Sequence, residues 1–219
     1  MSLALVPVKR LGAAKSRLRG ALGERADELT LAMLTDLLAA LIGSAPALRV
    51  FVVTPDAAVA QVARACGAEA RVADDAGLNE GLAAASAELA RPGEPVLVVL
   101  GDVAGATPQE IRALFDALAA LGGRGAVLAP SRDGGTAALL RAPHEAMATR
   151  FGTGSAAAHR ALAEASGLAF RELALPALAI DLDRPEDLAV LLATDSAAAP
   201  RTRALLQRLG YRAASSEAR

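Results

Sequence analysis

Acidic residues follow two apolar segments that are typical of buried strands. Asp102 comes shortly after the apolar run 95–100, and Asp181 and Asp183 alternate at the end of the apolar stretch 178–182. Because parallel α/β sheets bind ligands at the carboxyl ends of their strands, Asp102 and Asp181 are candidate ligands for a hard divalent cation. Asp183 is interpreted as a cap of the next helix or as an outer partner of the metal site. For Asp102 the alternative is a residue that only begins a turn.

Basic residues are concentrated just after the first apolar stretch of the chain. They are Lys9, Arg10, Lys15 and Arg17, and Gly12 lies between them. Positive side chains on a loop at the ligand end of a sheet can cradle phosphate groups. The spacing G-x-x-x-x-G-K-[ST] of a Walker A loop is absent. A basic loop that is simply exposed to solvent is the alternative interpretation.

Two loops rich in small residues are candidates to bind an anion. Residues 133–136 read D-G-G-T, and residues 151–155 read F-G-T-G-S in front of a helical segment. Glycine lets backbone amides approach a ligand closely, and the first turn of a helix presents unpaired amides. Thr136, Gly152 and Ser155 are therefore candidate ligand contacts, whereas ordinary glycine turns would give the same pattern.

Other polar residues allow weaker inferences. Asn79 could contact a nucleobase or ribose, or cap a helix. His144 and His159 lack a nucleophile in a recognisable elbow, since G-x-S-x-G is absent, and we interpret both as structural or surface residues. Cys66 is the single cysteine and is interpreted as a small apolar residue on a helix.

Strand-like and helix-like segments alternate along the chain. The expected strands are 3–8, 49–54, 68–72, 95–100, 126–129, 136–141 and 178–182, and the expected helices are 24–42, 55–65, 78–90, 107–121, 155–166, 185–192 and 201–209. This alternation predicts an α/β fold with a Rossmann-like, mostly parallel sheet and helices on both faces. We expect one domain over residues 1–212 and a frayed tail over 213–219.

Local rules add two expectations about individual elements. Pro7 lies inside the first expected strand, which predicts that this strand is an edge or contains a bulge. Thr107, Pro108 and Glu110 have the spacing of a capping box, in which Thr107 and Glu110 satisfy the first amides of a helix.

Composition narrows the class of protein. The chain has 219 residues, of which 53% are hydrophobic and only 2% aromatic, so the core must be aliphatic and stacking of bases on aromatic rings is not expected. A net charge of −1 gives no basic field for nucleic acid. No apolar run reaches the roughly 18 residues of a membrane span, and we expect a cytoplasmic protein. The absence of G-x-G-x-x-G after the first strand disfavours a dinucleotide-dependent oxidoreductase.

Six segments, taken in order, match one pattern. They read V-P-V-K-R-L-x-x-A-K-S-R-L at 6–18, L-N at 78–79, G-D at 101–102, A-P-S-R-D-G-G-T-x-A-L-L at 129–140, R-F-G-x-G-S at 150–155 and D-x-D-x-P-E-D-L at 181–188. This pattern resembles the CofC/FbiD family, the guanylyltransferases of coenzyme F420 biosynthesis, over nearly the whole chain. The resemblance implies transfer of GMP from GTP to a phosphorylated three-carbon acid, with release of pyrophosphate. The acid in that family is 2-phospho-L-lactate, phosphoenolpyruvate or 3-phosphoglycerate.

The resemblance also implies roles for individual residues. Asp102 and Asp181 resemble Mg²⁺ ligands, and the acceptor acid is expected to contact Thr136, Gly152 and Ser155. GTP is expected to contact the basic loop with its triphosphate, at Lys9, Lys15 and Arg17, and to contact Asn79 with its nucleoside. Since the phosphate oxygen of the acceptor is already a nucleophile at neutral pH, positioning and charge neutralisation should carry the rate. Candidate partners are a downstream transferase that captures the product and a second copy of the chain.

Two departures from the family pattern concern the site. The family usually reads D-L-P where residues 102–107 read D-V-A-G-A-T, and Ala137 stands where Asn is common. The nearest alternative is an enzyme of the same fold that acts on a sugar phosphate or a pterin, but such enzymes carry a loop richer in glycine than residues 9–18. A non-catalytic nucleotide-binding domain is a further alternative, and the presence of both Asp102 and Asp181 argues against it.

Overall fold

The structure of the protein is a computed structural model that describes residues 1–13, 16–45, 47–74, 77–194 and 197–212. Its strands are β1 (Ser2–Pro7), β2 (Leu48–Thr54), β3 (Glu69–Val72), β4 (Val96–Val99), β5 (Gly125–Pro130), β6 (Thr136–Ala142) and β7 (Phe170–Glu172). Its helices are α1 (Ser16–Leu22), α2 (Arg25–Ser44), α3 (Ala57–Ala65), α4 (Leu78–Leu89), α5 (Pro108–Ala120), α6 (Ser155–Ala165), α7 (Pro185–Ala193) and α8 (Pro200–Arg208), with a 3₁₀ turn at His144–Ala146. The tail predicted over 213–219 lies outside the described residues.

The strands form one sheet in the order β3-β2-β1-β4-β6-β5-β7. β6 runs antiparallel to β4 and β5, and the other neighbours are parallel. A mostly parallel α/β sheet is therefore confirmed. Because β6 is reversed, its first residues lie at the same edge of the sheet as the carboxyl ends of β1 and β4.

Helices cover both faces of this sheet, as predicted. On β1, Ala4 and Val6 point into a core that includes α2, α3 and α5, whereas Leu3 and Leu5 point into a second core with α4 and α6. This is the two-residue alternation of a strand that is buried on both sides. The central strands are therefore buried on both faces, and this fixes where the loops that follow them begin.

A third apolar cluster packs α1, α7 and α8 against the start of α2. The buried carboxylate of Asp36 on α2 fastens α8 to it, since it accepts hydrogen bonds from the amide of Arg201 at 3.2 Å and from the amide and hydroxyl of Thr202 at 2.8 Å each. The same cluster contains Ile180 and Leu182, the neighbours of Asp181. The segment that carries Asp181 is thus anchored on both sides by burial.

The expectation for Pro7 was wrong. β1 lies in the middle of the sheet, and Pro7 is its last residue. The amide of Leu3 faces β4 and that of Val8 faces β2, so by alternation the nitrogen of Pro7 faces β4. Pairing with β4 ends at Leu5, and the missing N–H therefore removes no hydrogen bond of the ladder.

One expected strand is absent among the described residues, and two observed elements were not expected. Residues 178–182 do not form a strand, and apart from one isolated bridge at Asp181 they belong to a turn-containing loop. Helix α1 was not predicted, and neither was β7, whose short and mostly exposed sequence Phe170–Glu172 carries no apolar alternation. Of the helices in the described residues, none has the length and apolar character needed to cross a membrane.

Candidate active site

A cavity of about 440 Å³ opens at the edge of the sheet where β1, β2 and β4 end and β6 begins. Six of the predicted site residues line it: Lys9, Asp102, Thr136, Gly152, Ser155 and Asp181. Asp183 lines it as well. The structure therefore brings the predicted metal ligands and the predicted acceptor contacts into one pocket.

Asp102 and Asp181 are neighbours through direct backbone pairing. An isolated antiparallel bridge joins Val103 to Asp181. The amide of Ala104 donates to the carbonyl of Ile180 at 3.0 Å, and a longer contact of 3.4 Å joins the amide of Leu182 to the carbonyl of Asp102. The backbones of Asp102 and Asp181 are thus adjacent because one loop lies on the other, not because both residues end strands of the sheet, and both residues line the cavity.

Glu110 holds the loop that carries Asp181. Its carboxylate accepts the amides of Ala177 at 3.0 Å and Leu178 at 2.7 Å. The predicted capping box is therefore only half present, since Thr107 accepts the amide of Glu110 at 3.2 Å while the Glu110 side chain turns away to the loop. Sequence reasoning missed this role, because a capping glutamate and a loop-binding glutamate have the same local sequence.

Gly105 allows the two loops to come this close. A Cβ atom at Gly105 would lie 2.3 Å from the carbonyl oxygen of Ala177 and 3.3 Å from the Cβ of Ile180. No side chain fits at such a distance from backbone. The departure from the family pattern after Asp102 thus coincides with a direct contact between the two loops.

The pair of carboxylates fits a Mg²⁺ ion that also binds substrate. Mg²⁺ prefers oxygen ligands and is often held by one or two carboxylates, with phosphate oxygens and water completing its octahedron. Among the described residues, no group of three or more His, Cys, Asp or Glu side chains is placed to hold a metal ion. Two carboxylates alone do not form a closed protein cage for a metal, and a Mg²⁺ ion at Asp102 and Asp181 stays a prediction.

The backbone of the basic loop is held by carboxylates that sequence reasoning missed. The amide of Leu11 donates to Asp56 at 2.9 Å, and the amide of Gly12 donates to Asp27 at 2.9 Å. Burial opposes ionisation of Asp27, but hydrogen bonds from the Arg19 side chain and from Gly12 keep its pKa below the usual value. Asp56 is also the N-cap of α3, which was a signal available in the sequence.

The basic side chains themselves lie at the surface. Lys9 is exposed and borders the cavity. Arg17 donates to Asp183 at 2.6 Å, and the side chains of this pair are 61% and 40% exposed. Lys15 lies outside the described residues. The loop thus places Lys9 at the cavity, whereas Arg17 lies on α1 and is paired with Asp183, a residue that lines the cavity.

Asp183 does not cap α7. Asp187 does so instead, since its carboxylate accepts the amides of Asp183 at 3.0 Å and Arg184 at 2.7 Å. Of the two roles considered for Asp183, the cap is therefore wrong. Its contact with Arg17 leaves the outer-partner role.

Asn79 forms a structural contact that was not anticipated. Its side-chain amide donates to the carbonyl of Phe151 at 3.0 Å, and its oxygen accepts the amide of Phe151 at 2.8 Å. The helix cap is wrong, because α4 begins after Gly77 without a side-chain cap. Asn79 thus positions the loop that contains Gly152, and its contact with a nucleoside stays a prediction.

Thr136 and Ser155 form a buried pair at the wall of the cavity. Each is only 2% exposed, and the Ser155 hydroxyl donates to the Thr136 hydroxyl at 3.0 Å. The amide of Ser155 bonds to the carbonyl of Gly152 at 3.1 Å, and that of Ala156 contacts the carbonyl of Gly134 at 3.3 Å. These first-turn amides are thus engaged by the loops, which leaves the hydroxyls as the evident polar groups of this wall.

His159 packs behind this pair, which agrees with its interpretation as a structural residue. It is fully buried, its Nδ1 lies 3.1 Å from Thr136 Oγ1, and its ring meets Phe151 edge-on at 5.2 Å. Burial, with the nearby charge of Arg141, lowers the pKa of His159 to about 4. A histidine four residues after Ser155 faces the same side of the helix, and this spacing was the signal available in the sequence.

The sheet has the Rossmann-like fold that is found in nucleotidyltransferases. The structure is similar to that of a Desulfovibrio desulfuricans G20 protein assigned to the nucleotide-diphospho-sugar transferases, with a TM-score of 0.74, 20% identity and coverage of 96% of both chains. It is also similar to CMP:2-keto-3-deoxy-manno-octonic acid synthetase in complex with CTP, with a TM-score of 0.60, 13% identity and coverage of 95% of this chain and 100% of the other. At such identities the likeness shows the fold alone.

The family is shown by sequence. The model of the family described as "Guanylyl transferase CofC like" matches residues 2–219, and the chain belongs to this family of guanylyltransferases. A phosphoenolpyruvate guanylyltransferase of Sphaerobacter thermophilus is 42% identical over 190 residues, which cover 85% of this chain and 90% of the relative. A 3-phospho-D-glycerate guanylyltransferase of Phenylobacterium zucineum is 40% identical over 197 residues, covering 85% and 88%.

Proposed function

We propose that this guanylyltransferase transfers GMP from GTP to phosphoenolpyruvate, with Mg²⁺ as its metal. The observation that carries the proposal is the single cavity that combines two carboxylates, a basic loop and a buried pair of hydroxyls. These are the groups that a metal, a triphosphate and a small acid require. Phosphoenolpyruvate is chosen because the 42% identical relative is named for it. The product would be a precursor of coenzyme F420, as the family pattern in the sequence implies.

The chemistry is an in-line displacement at phosphorus. A phosphate oxygen of the acceptor attacks the α-phosphorus of GTP, a new P–O bond forms, and the bond to the β-phosphate breaks. The bonding electrons leave with pyrophosphate. With a second pKa near 6, a phosphate monoester is already largely a dianion at pH 7, so no general base is needed to activate it. Repulsion between two polyanions is the main barrier to their approach.

The residues of the chain act by binding and charge neutralisation. Lys9 and Arg17 would offset the charge of the triphosphate, and Arg17 would exchange its contact with Asp183 for a phosphate. Thr136 and Ser155 would hold an anionic group of the acceptor, beside the backbone of Gly152. Fixing both reactants in this way converts a bimolecular step into an effectively unimolecular one.

Asp102 and Asp181 would hold Mg²⁺ against the phosphates of the substrates. When bound, the ion would neutralise phosphate charge and stabilise the charge that develops on the leaving pyrophosphate. Asp183 lies at the same cavity and would keep Arg17 nearby when no nucleotide is bound.

The test is a pyrophosphate-release assay on the purified protein. GTP, ATP and CTP are each combined with phosphoenolpyruvate, 3-phosphoglycerate or 2-phospho-L-lactate, with Mg²⁺ or with EDTA. If the guanylylated product is unstable, a purified downstream transferase is added to trap it. We expect release only with GTP, Mg²⁺ and phosphoenolpyruvate.

Each alternative has its own outcome in this assay. Release with 3-phosphoglycerate alone would move the acceptor assignment to the acid named for the Phenylobacterium relative. Equal turnover with ATP would contradict selectivity for GTP. Full activity in EDTA would contradict the proposed metal.

A further inference from the structure

His159 lies directly behind the hydroxyls that we propose hold the acceptor. Its ring is fully buried, and Nδ1 is 3.1 Å from Thr136 Oγ1. Thr136 and Ser155 line the cavity, whereas His159 does not. The histidine can therefore influence a bound acceptor only indirectly, through this pair or through the loop of Gly152, where it contacts Arg150 and Phe151.

The backbone determines which nitrogen of His159 carries the hydrogen. The amide N–H of Arg150 donates to Nε2 at 2.8 Å. A backbone amide can only donate, so Nε2 must be an unprotonated acceptor. The ring is neutral at pH 7, because burial keeps its pKa low. The single ring hydrogen is thus on Nδ1, which donates to Thr136 Oγ1.

This arrangement of hydrogens determines whether the Thr136–Ser155 pair presents a hydrogen-bond donor to the cavity. Thr136 Oγ1 accepts from His159 Nδ1 and from the Ser155 hydroxyl at 3.0 Å, which uses both of its lone pairs. Its own hydrogen must point elsewhere, and the cavity is the open side. If the two hydroxyls exchanged roles, Ser155 would supply this hydrogen instead. In either case one O–H is left over as a donor.

We propose that His159 is a positioning residue for the acceptor acid, since its Nδ1–H makes the Thr136–Ser155 pair a hydrogen-bond donor to an anionic group. In the opposite tautomer, Nδ1 would accept a hydrogen bond from the Thr136 hydroxyl, and oxygen lone pairs would then face the anion. A donor held in this way needs no reorganisation when the acceptor binds. The inference rests on the proposed function, in which this pair contacts the acceptor.

Two matched substitutions of His159 distinguish the roles of its two ring nitrogens. In His159→Gln, the side-chain amide reaches the position of Nε2 and can still accept from Arg150, but the donor to Thr136 is lost. In His159→Asn, the amide lies near the position of Nδ1 and can still donate to Thr136. We expect Gln to raise the KM for the acceptor about tenfold with little change in the KM for GTP, and Asn to recover most of that loss.

Controls distinguish the failure of this inference from the failure of the proposed function. His144→Gln alters the other histidine, which does not line the cavity, and should leave both KM values unchanged. Thr136→Val removes the hydroxyl itself. If Thr136→Val left the acceptor KM unchanged, the acceptor site would be misplaced. If Thr136→Val raised it but His159→Gln equalled the Asn variant, only the role of His159 would be wrong.

NMR spectroscopy tests the same point with His159 itself unchanged. The chain has two histidines, so ¹⁵N-labelling of histidine gives two ring systems, and His144→Gln assigns them. We expect the His159 ring to be neutral at pH 7, with Nδ1 protonated and Nε2 bare. A ring protonated on Nε2, or on both nitrogens, would overturn the proposal.

Discussion

The two sides of the cavity are built in different ways. On the acceptor side, Thr136, Ser155 and His159 are at most 2% exposed and are hydrogen-bonded to one another. On the nucleotide side, Lys9 is exposed and the Arg17 side chain is 61% exposed. A buried network suits a small acid of fixed shape, whereas long exposed cations can follow a triphosphate as its charge shifts. Substitutions on the acceptor side should therefore reduce activity more than those on the nucleotide side.

Substitution of Asp102 or Asp181, the carboxylates between the two sides, should lower turnover more than any other change. We expect Asp102→Asn and Asp181→Asn each to lower kcat by at least about 100-fold, because Asn keeps the shape but removes the charge that would hold the metal. Asp183→Asn should be milder, since Asp183 contacts Arg17 and caps no helix. The measurement is kcat at several Mg²⁺ concentrations, with a thermal melt of each variant. Near-normal turnover of either main variant in a folded protein would refute the two-carboxylate site.

The free energy of unfolding should fall in acid because of His159, which lies on the acceptor side. His159 has a pKa of about 4 when folded and about 6.5 when unfolded, so the unfolded chain binds one more proton between these values. The contribution of His159 to the free energy of unfolding is therefore complete above pH 6.5. It decreases as the pH falls toward 4, by up to about 1.4 kcal/mol per pH unit. Urea unfolding at pH 7, 6 and 5 measures this. His159→Asn should have a shallower slope, and equal slopes would contradict the low pKa.

The contact between the two carboxylate loops should be sensitive to a single methyl group. Gly105→Ala would force the Ala177 carbonyl away, and we expect a loss of about 1–3 kcal/mol of stability together with reduced kcat. Gly20→Ala is the matched control, since a Cβ there meets nothing within 4 Å and helix α1 favours alanine. Chemical unfolding and turnover are measured for both. If the Gly105 variant behaved like the control, the loops would not depend on this approach.

The nucleotide side should give the smallest effects. We expect Lys9→Ala and Arg17→Ala each to lower kcat/KM for GTP only several-fold, because exposed ion pairs contribute about 0–1 kcal/mol. Higher salt should reduce the difference between variant and wild type. Losses larger than those of Thr136→Val would reverse the comparison between the two sides. Unchanged kcat/KM in both variants would return this loop to the solvent-exposed interpretation.

The sequence determined the features that depend on neighbours along the chain. The continuous apolar runs at β1 and β4 predicted strands, and the Thr107 cap marked the start of α5. The strand rhythm predicted the ligand edge of the sheet, so that Asp102 could be placed there. The ordered motifs, read as a family resemblance, led to a guanylyltransferase, and the family match confirmed it.

Only the tertiary structure decided how side chains meet across long separations. Asn79 binds the backbone of Phe151, 72 positions away, and Glu110 binds that of Leu178, 68 positions away. Asp181 reaches Asp102 by pairing of two loops, and the tautomer of His159 follows from the amide of Arg150. The physical reason is that periodicity and caps arise from local backbone geometry, which the chain encodes within a few residues. The partner of a polar side chain depends on how whole elements pack, and this is settled only when the apolar faces are buried together.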